Sequence, residues 1–222
     1  RGRNTANHVF GNEASVLVGD YLYSRAFQMM VGLGNLRIQE VMANATNTIA
    51  EGEVLQLMNA HDPDTTEQRY LDVIYRKTAK LFEAGAQVAA ILSGAPPEAE
   101  QAMIEYGRHL GTAFQLVDDS LDYSADGKEL GKNVGDDLAE GKPTLPLIYA
   151  MAHSSPDDTA RLRLAVEHGG LDELAAAPGL LQGELTWLVG ALQWASTCID
   201  AAAIAIVLVG AVRFILGFLT LE

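Results

Sequence analysis

An all-α fold is the prediction for this chain, and three observations make it. Apolar residues recur at helical spacing through long segments, no stretch of useful length alternates apolar and polar residues as a half-buried strand would, and the breaks between segments are short. The helical pattern covers 13–32, 35–60, 64–93, 97–124, 144–153 and 157–168. Asn12 and Asn35 stand at the start of helical runs, where a side-chain oxygen can accept from the first orphan N–H groups. Residues 63–67, PDTTE, read as a turn followed by a capping-box-like start. The GAPP stretch at 94–97 parts two helices and puts Pro96 and Pro97 near the first turn of the second. Short connections of this kind make neighbouring helices antiparallel. The only long irregular segment is 125–143.

Composition narrows the partners. The 222 residues carry a formal charge of −14, and the segment from Leu181 onward contributes only Glu184, Asp200, Arg213 and Glu222 to it, a net −2. The acidity therefore lies upstream, which excludes the basic footprint that nucleic-acid phosphates demand and suits a domain that concentrates cations. Lys and Arg are too dispersed for a polybasic membrane patch. Cys198 is the single cysteine, so no intrachain disulfide or cysteine-based zinc site is available and a cytoplasmic setting is expected. The charged N-terminus has no signal-peptide pattern.

The most informative stretch is FQLVDDSLD, Phe114 to Asp122, which sets Asp118, Asp119 and Asp122 inside an apolar helical pattern. Asp118 and Asp122 are four apart and share one helix face, with Phe114, Leu116, Val117 and Leu121 supplying the apolar sides. A solvated acidic face is the bland meaning of such a run. Its sharper meaning is a hard divalent cation: Mg²⁺ takes oxygen ligands and is typically held by one or two carboxylates plus substrate phosphates.

The stretch GKNVGDDLAEGKPTLPL, Gly131 to Leu147, favours the sharper meaning. Gly127, Gly131 and Gly135 break the helical pattern and let backbone approach a ligand, while Lys132 and Lys142 can neutralise phosphate oxygens. Asp136 and Glu140 form a second carboxylate pair at four-residue spacing, fit to hold metal-bound water or orient Lys142. Together these make a metal-plus-phosphate site on a glycine-rich lid.

These residues resemble the trans-type polyprenyl diphosphate synthases, in particular the long-chain octaprenyl or solanesyl-like enzymes. The resemblance rests on FQLVDDSLDY and GKNVGDDLAEGKPTLPL, and also on YRKTAKLF (Tyr75 to Phe82), GNEASVLVGDYLYSRAF (Gly11 to Phe27) and EGEVLQL (Glu51 to Leu57), over about residues 1–175. It implies an antiparallel helical bundle of the isoprenoid synthase type around a deep cavity with two aspartate-rich motifs at its mouth. It also implies a reaction: an allylic diphosphate ionises, isopentenyl diphosphate attacks the cation, a proton leaves, and repetition lengthens the chain. Such a site must stabilise charge on the leaving diphosphate and exclude water. Carried over residue by residue, Asp118 and Asp122 resemble ligands of one Mg²⁺, with Asp119 in support and Asp136 nearby through water. Lys77 and Lys132 resemble the lysines gripping the allylic diphosphate. Thr78 and Gln115 match positions close to the developing cation, and Arg1 matches the second arginine of a pair that binds isopentenyl diphosphate. A homodimer is the family's usual assembly.

Two departures accompany the resemblance. The family's first aspartate-rich motif belongs about eight residues before that arginine pair, ahead of Arg1, so this sequence is expected to hold an incomplete bundle whose activity is weakened or lost. Beyond about Pro178 the family's amphipathic closing helices give way to a nearly uncharged run, Leu185 to Leu221, interrupted only by Asp200 and Arg213. The chain thus divides into a partial synthase domain, 1–178, and an apolar helical tail, 179–222. About 20 apolar residues span a bilayer core, so 201–221 is long enough for a transmembrane helix if Arg213 snorkels, with Trp187 and Trp194 at the interface. An unusually apolar core helix is the competing reading. The function of a different class is a non-catalytic, membrane-tethered remnant that pairs with an intact synthase. His8, His61, His109, His153 and His168 share no metal-ligand spacing, and Met29, Met30, Met58 and Met103 read as core. Glu51 and Glu53 are equally suited to packing and to catalysis.

Overall fold

The computed structural model describes residues 4–124 and 135–170, and every element in them is helical. In chain order these are α1 (Ala6–Phe10), α2 (Asn12–Gly32), α3 (Leu36–Asn59), α4 (Glu67–Ile74), a π-helical turn (Tyr75–Ala79), α5 (Lys80–Leu92), α6 (Pro97–Ser124), α7 (Asp136–Ala139), α8 (Leu145–His153) and α9 (Pro156–His168). The bundle is antiparallel and all-α, as the periodicity predicts.

Local chemistry sets most of the boundaries. Asn35 caps α3 by accepting from the N–H groups of Arg37 and Ile38, Thr66 caps α4 by accepting from Arg69, and Ser155 caps α9 by accepting from Asp158. Gly11 rather than Asn12 stands at the N-cap of α2, at φ 84, a conformation that favours glycine. The short helix α1, capped by Thr5, is too brief to carry a readable periodicity.

The segment 64–93 is not one uninterrupted helix. It starts at Glu67 and contains the π turn, where one extra residue in the turn rotates α5 relative to α4. Two glycines let neighbouring helices close on this turn. A Cβ on Gly52 of α3 would lie 2.7 Å from the Lys77 nitrogen, and one on Gly111 of α6 would lie 2.6 Å from the Ala79 Cα. Glu51 pairs with Arg76 at 2.8 Å and Glu53 with Lys77 at 3.2 Å, so the EGE motif is a docking strip for the cations of the π turn.

Two apolar clusters hold the assembly. Tyr70, Ile74, Ala113 and Leu116 join α4 to α6, with Leu145 and Ile148 of α8 packed on them. Tyr123, Leu138, Leu147, Ala150, Leu162, Ala165 and Val166 join the end of α6 to α7, α8 and α9. Each fully buried leucine here is worth about 1.5–3 kcal/mol. Outside these clusters, buried Glu83 ties α5 to α6 by accepting from Lys80 at 2.6 Å and Arg108 at 3.0 Å. By contrast α2 buries none of its side chains and leaves Val16, Leu17, Val18, Tyr21 and Leu22 exposed.

No helix among the described residues is long and apolar enough to cross a membrane. The apolar tail, Arg1 and Lys132 lie outside the described residues.

Candidate active site

A cavity of about 260 Å³ opens between the C-terminal part of α3, the α4–π-turn segment, α6, and the stretch from α7 into α8. Lys77 and Thr78 enter it from the π turn, Gln115, Asp118 and Asp119 from α6, and Asp137 and Lys142 from the far side. Gln56 and Asn59 of α3 close the remaining wall, beside Tyr70 and Thr144.

Two lysines face the acids here. Lys77 donates to the Gln56 side-chain oxygen and pairs with Glu53. Lys142 bridges Asp137 at 3.3 Å and Glu140 at 2.5 Å. Burial pulls the Lys142 ammonium down, but its hydrogen bond to Glu140 and the Asp137 charge outweigh this and leave the pKa raised. Its backbone is anchored as well: the Gly141 carbonyl accepts from the His61 N–H at 2.8 Å. Gly141 sits at φ 66, and a Cβ there would fall 2.2 Å from the His61 ring nitrogen.

The three carboxylates of the α6 motif occupy different environments. Asp118 lines the cavity. Asp119 is 5% exposed and accepts from the Tyr70 hydroxyl and the Gln115 amide, each at 2.7 Å. Burial, opposed by the hydrogen bond from Tyr70, pushes its pKa up from the ordinary 3.8 to about 7. Asp122 is 3% exposed and accepts from the Asp137 N–H at 3.1 Å, while its carbonyl accepts from the Gly135 N–H at 3.0 Å. It thereby fastens the start of α7 to the end of α6. Gly135 is left-handed at φ 85, which lets the chain turn into α7.

A third set of bonds links the π turn to α6, for the Thr78 hydroxyl donates to the Gln115 side-chain oxygen at 2.8 Å. Among the described residues, no group of three or more His, Cys, Asp or Glu stands together so as to hold a metal alone. The oxygen-only donors beside Asp118 still fit a hard cation that completes its shell with phosphate oxygens and water.

The polyprenyl synthetase family model matches residues 1–177. The chain belongs to that family. It is 64% identical over 169 residues to octaprenyl diphosphate synthase of Escherichia coli (strain K12), covering 76% of this chain and 52% of that protein. A decaprenyl diphosphate synthase structure from Rhodobacter capsulatus superimposes with a TM-score of 0.81 at 42% identity, over 96% of this chain and 63% of that one. A polyprenyl synthase from Caulobacter crescentus CB15, solved with calcium and isoprenyl diphosphate, superimposes with a TM-score of 0.80 at 35% identity, over 99% and 63% respectively. The chain spans about half the length of the curated relatives it matches.

In this polyprenyl synthetase chain the cavity brings together Lys77, Thr78, Gln115, Asp118, Asp119 and Lys142 from the residues singled out in the sequence. Asp122 and Asp136 are not among the residues lining it. Sequence reasoning passed over Gln56, Asn59, Tyr70, Asp137 and Thr144. Tyr70 had a readable signal, since it lies one and two turns before Ile74 and Lys77 on one helix face.

Proposed function

We propose that this cavity binds the diphosphate of an allylic polyprenyl diphosphate, and that the activity of the protein is Mg²⁺-dependent condensation with isopentenyl diphosphate to lengthen the isoprenoid chain. One observation carries the reading: two lysines from different parts of the fold meet Asp118 in the same cavity, beside the Thr78–Gln115 pair. The family relationship supports it, as does the binding of a divalent ion and isoprenyl diphosphate by the Caulobacter crescentus relative.

In this reading Lys77 and Lys142 grip diphosphate oxygens by exchanging their carboxylate partners for phosphate, and Lys132 joins them. Asp118 offers a carboxylate to Mg²⁺, with Asp136 reached through water and Asp122 holding α7 at the right distance. Bound Mg²⁺ supplies Lewis-acid stabilisation of the charge that builds on the leaving diphosphate. Thr78 and Gln115 present oxygen dipoles to the allylic carbon as it becomes positive, and the surrounding apolar residues exclude water. Arg1 takes part in binding isopentenyl diphosphate. The exposed apolar residues of α2 support pairing with a second copy, and the water-soluble diphosphate substrates suit a cytoplasmic site of action.

The test is incorporation of labelled isopentenyl diphosphate into extractable polyprenyl product by the purified chain, with farnesyl diphosphate and Mg²⁺, beside Asp118→Ala. Product that disappears in the variant supports the proposal; product retained in the variant overturns the role of Asp118.

A further inference from the structure

We infer that Tyr70 is a positioning residue for this site: through Asp119 and Gln115 it fixes the Thr78 hydroxyl with its lone pairs facing the cavity. The inference rests on the allylic-diphosphate reading above and adds to it the group that sets the polarity of the cation-facing oxygen.

The argument is one of hydrogen-bond direction. In its ionised form, which prevails above about pH 7, Asp119 only accepts, and the buried Tyr70 hydroxyl donates to one of its oxygens at 2.7 Å. The other oxygen accepts from the Gln115 amide nitrogen at 2.7 Å. That orients the amide, whose oxygen is left facing Thr78, and an amide oxygen accepts only. The Thr78 hydroxyl has one proton and donates it there at 2.8 Å. What remains on the Thr78 oxygen is lone pairs, and Thr78 lines the cavity.

Four side chains from three elements thus form a directional relay in which each member leaves the next one choice. An oxygen locked as an acceptor favours positive charge on a neighbouring carbon, whereas a hydroxyl free to turn its proton toward the cavity opposes it. Tyr70 is the outer end of the relay. Without its donor, the Asp119 carboxylate is held at one oxygen only and is free to rotate away from Gln115, whose amide then loses the acceptor that holds it in one orientation. Packing alone does not explain the tyrosine: its ring belongs to the α4–α6 cluster, which phenylalanine would serve equally, but only the hydroxyl reaches Asp119.

The experiment uses the full chain with Mg²⁺ and two probes. One is a thiolo analogue of the allylic diphosphate, which binds without ionising; the other is an ammonium analogue carrying positive charge where the cation develops. Affinities are measured by calorimetry for wild type, Tyr70→Phe, Thr78→Val and the double variant. Tyr70→Phe is expected to weaken the ammonium analogue about tenfold, the order of a charge-assisted hydrogen bond, and to leave the thiolo analogue unchanged. Thr78→Val should cost as much, and the double variant no more than either single change, because both break one relay. Equal weakening of both probes by Tyr70→Phe would show a merely structural tyrosine and overturn the inference, as would full affinity for the ammonium analogue. If the tyrosine variant does not fold, Gln115→Met, which removes both amide groups at similar length, carries the same expectation. Wild type that binds neither probe would instead sink the reading of the cavity itself.

Discussion

Gly111→Ala adds one carbon where α6 crosses the π turn, and the structure sets its cost. The new Cβ would stand 2.6 Å from the Ala79 Cα and 3.0 Å from both Cβ and Cδ2 of Phe82. The nearest of these is backbone and cannot rotate away, so α6 must separate from the π turn by most of an ångström. Overpacking of this kind costs about 1–3 kcal/mol, and a backbone contact belongs at the upper end. Replacing a helical glycine by alanine returns about 1 kcal/mol. The net expectation is a loss of about 2 kcal/mol, a drop of roughly 4–8 °C in Tm for a chain of this size. Gly85 of α5 is the matched control, because a Cβ there meets nothing within 4 Å and only the favourable helical contribution remains. Thermal unfolding of the two variants followed by circular dichroism should therefore move in opposite directions. A Gly111→Ala protein as stable as wild type would refute the claim that this glycine permits the close approach. The same variant should lose affinity for a diphosphate probe, since Ala79 adjoins Thr78.

Other outcomes stem from the site. Asp118→Ala should lower Mg²⁺-dependent product formation about a hundredfold or more, while His109→Ala leaves it unchanged; pyrophosphate affinity with and without Mg²⁺ checks the same assignment. Lys142→Ala should weaken diphosphate binding and flatten its dependence on salt, read from calorimetry at two ionic strengths. The Asp119 carboxyl, raised from 3.8 to about 7, binds more protons folded than unfolded, so its contribution is most favourable below about pH 4 and is lost as pH rises to about 7. Relative to Asp119→Asn, wild-type stability in urea should fall over that window by up to about 4 kcal/mol; a flat difference would refute the shift. The sign reverses at Glu83. Burial raises its pKa, but hydrogen bonds from Lys80 and Arg108 outweigh this and lower it, so its stabilising effect is present above the ordinary 4.5 and disappears as pH falls below it. Glu83→Gln should remove that acid sensitivity.

What the sequence made legible was whatever repeats with helical period or punctuates it. The long helices, their asparagine and threonine caps and the glycine breaks carry local signals, and the pairing of YRKTA with the α6 motif is enough to locate the cavity. The π turn left no such trace, because a single extra residue within 64–93 shifts the angle of the next helix without disturbing the overall apolar pattern. The close approach of α3 and α6 to it likewise depends on distant residues, Gly52 and Gly111. Asp137 was passed over in favour of Asp136 for a similar reason: two adjacent acids cannot be told apart until the left-handed Gly135 decides which one turns inward. Tyr70 went unnoticed in the sequence; its ring packs in the core, and only the position of Asp119 across the helix interface gives the hydroxyl a second task.

The α6 motif shows why counting carboxylates is a weaker guide than tracing their angles. Successive helical residues are turned by about 100°, so Asp118 and Asp119 border the cavity in different directions, whereas Asp118 and Asp122 differ by only about 40° but lie one turn apart along the axis. That turn is enough to carry Asp122 from the cavity into the joint with α7, where its carboxylate caps the Asp137 N–H and its carbonyl holds Gly135. Asp119, buried at the cavity's edge, meets Tyr70 and Gln115. On the proposed reading the task of facing a cation falls to Asp118, and the other two acids keep its surroundings in place: Asp119 holds Tyr70 and Gln115, and Asp122 holds the segment that brings Asp137 and Lys142 across the cavity. Three acids in five residues are therefore a division of labour imposed by helical geometry. On the same reading a hard cation seated at Asp118 would, among the described residues, find no cluster of further acids and would complete its shell from phosphate and water, so that metal binding would be coupled to the arrival of the diphosphate.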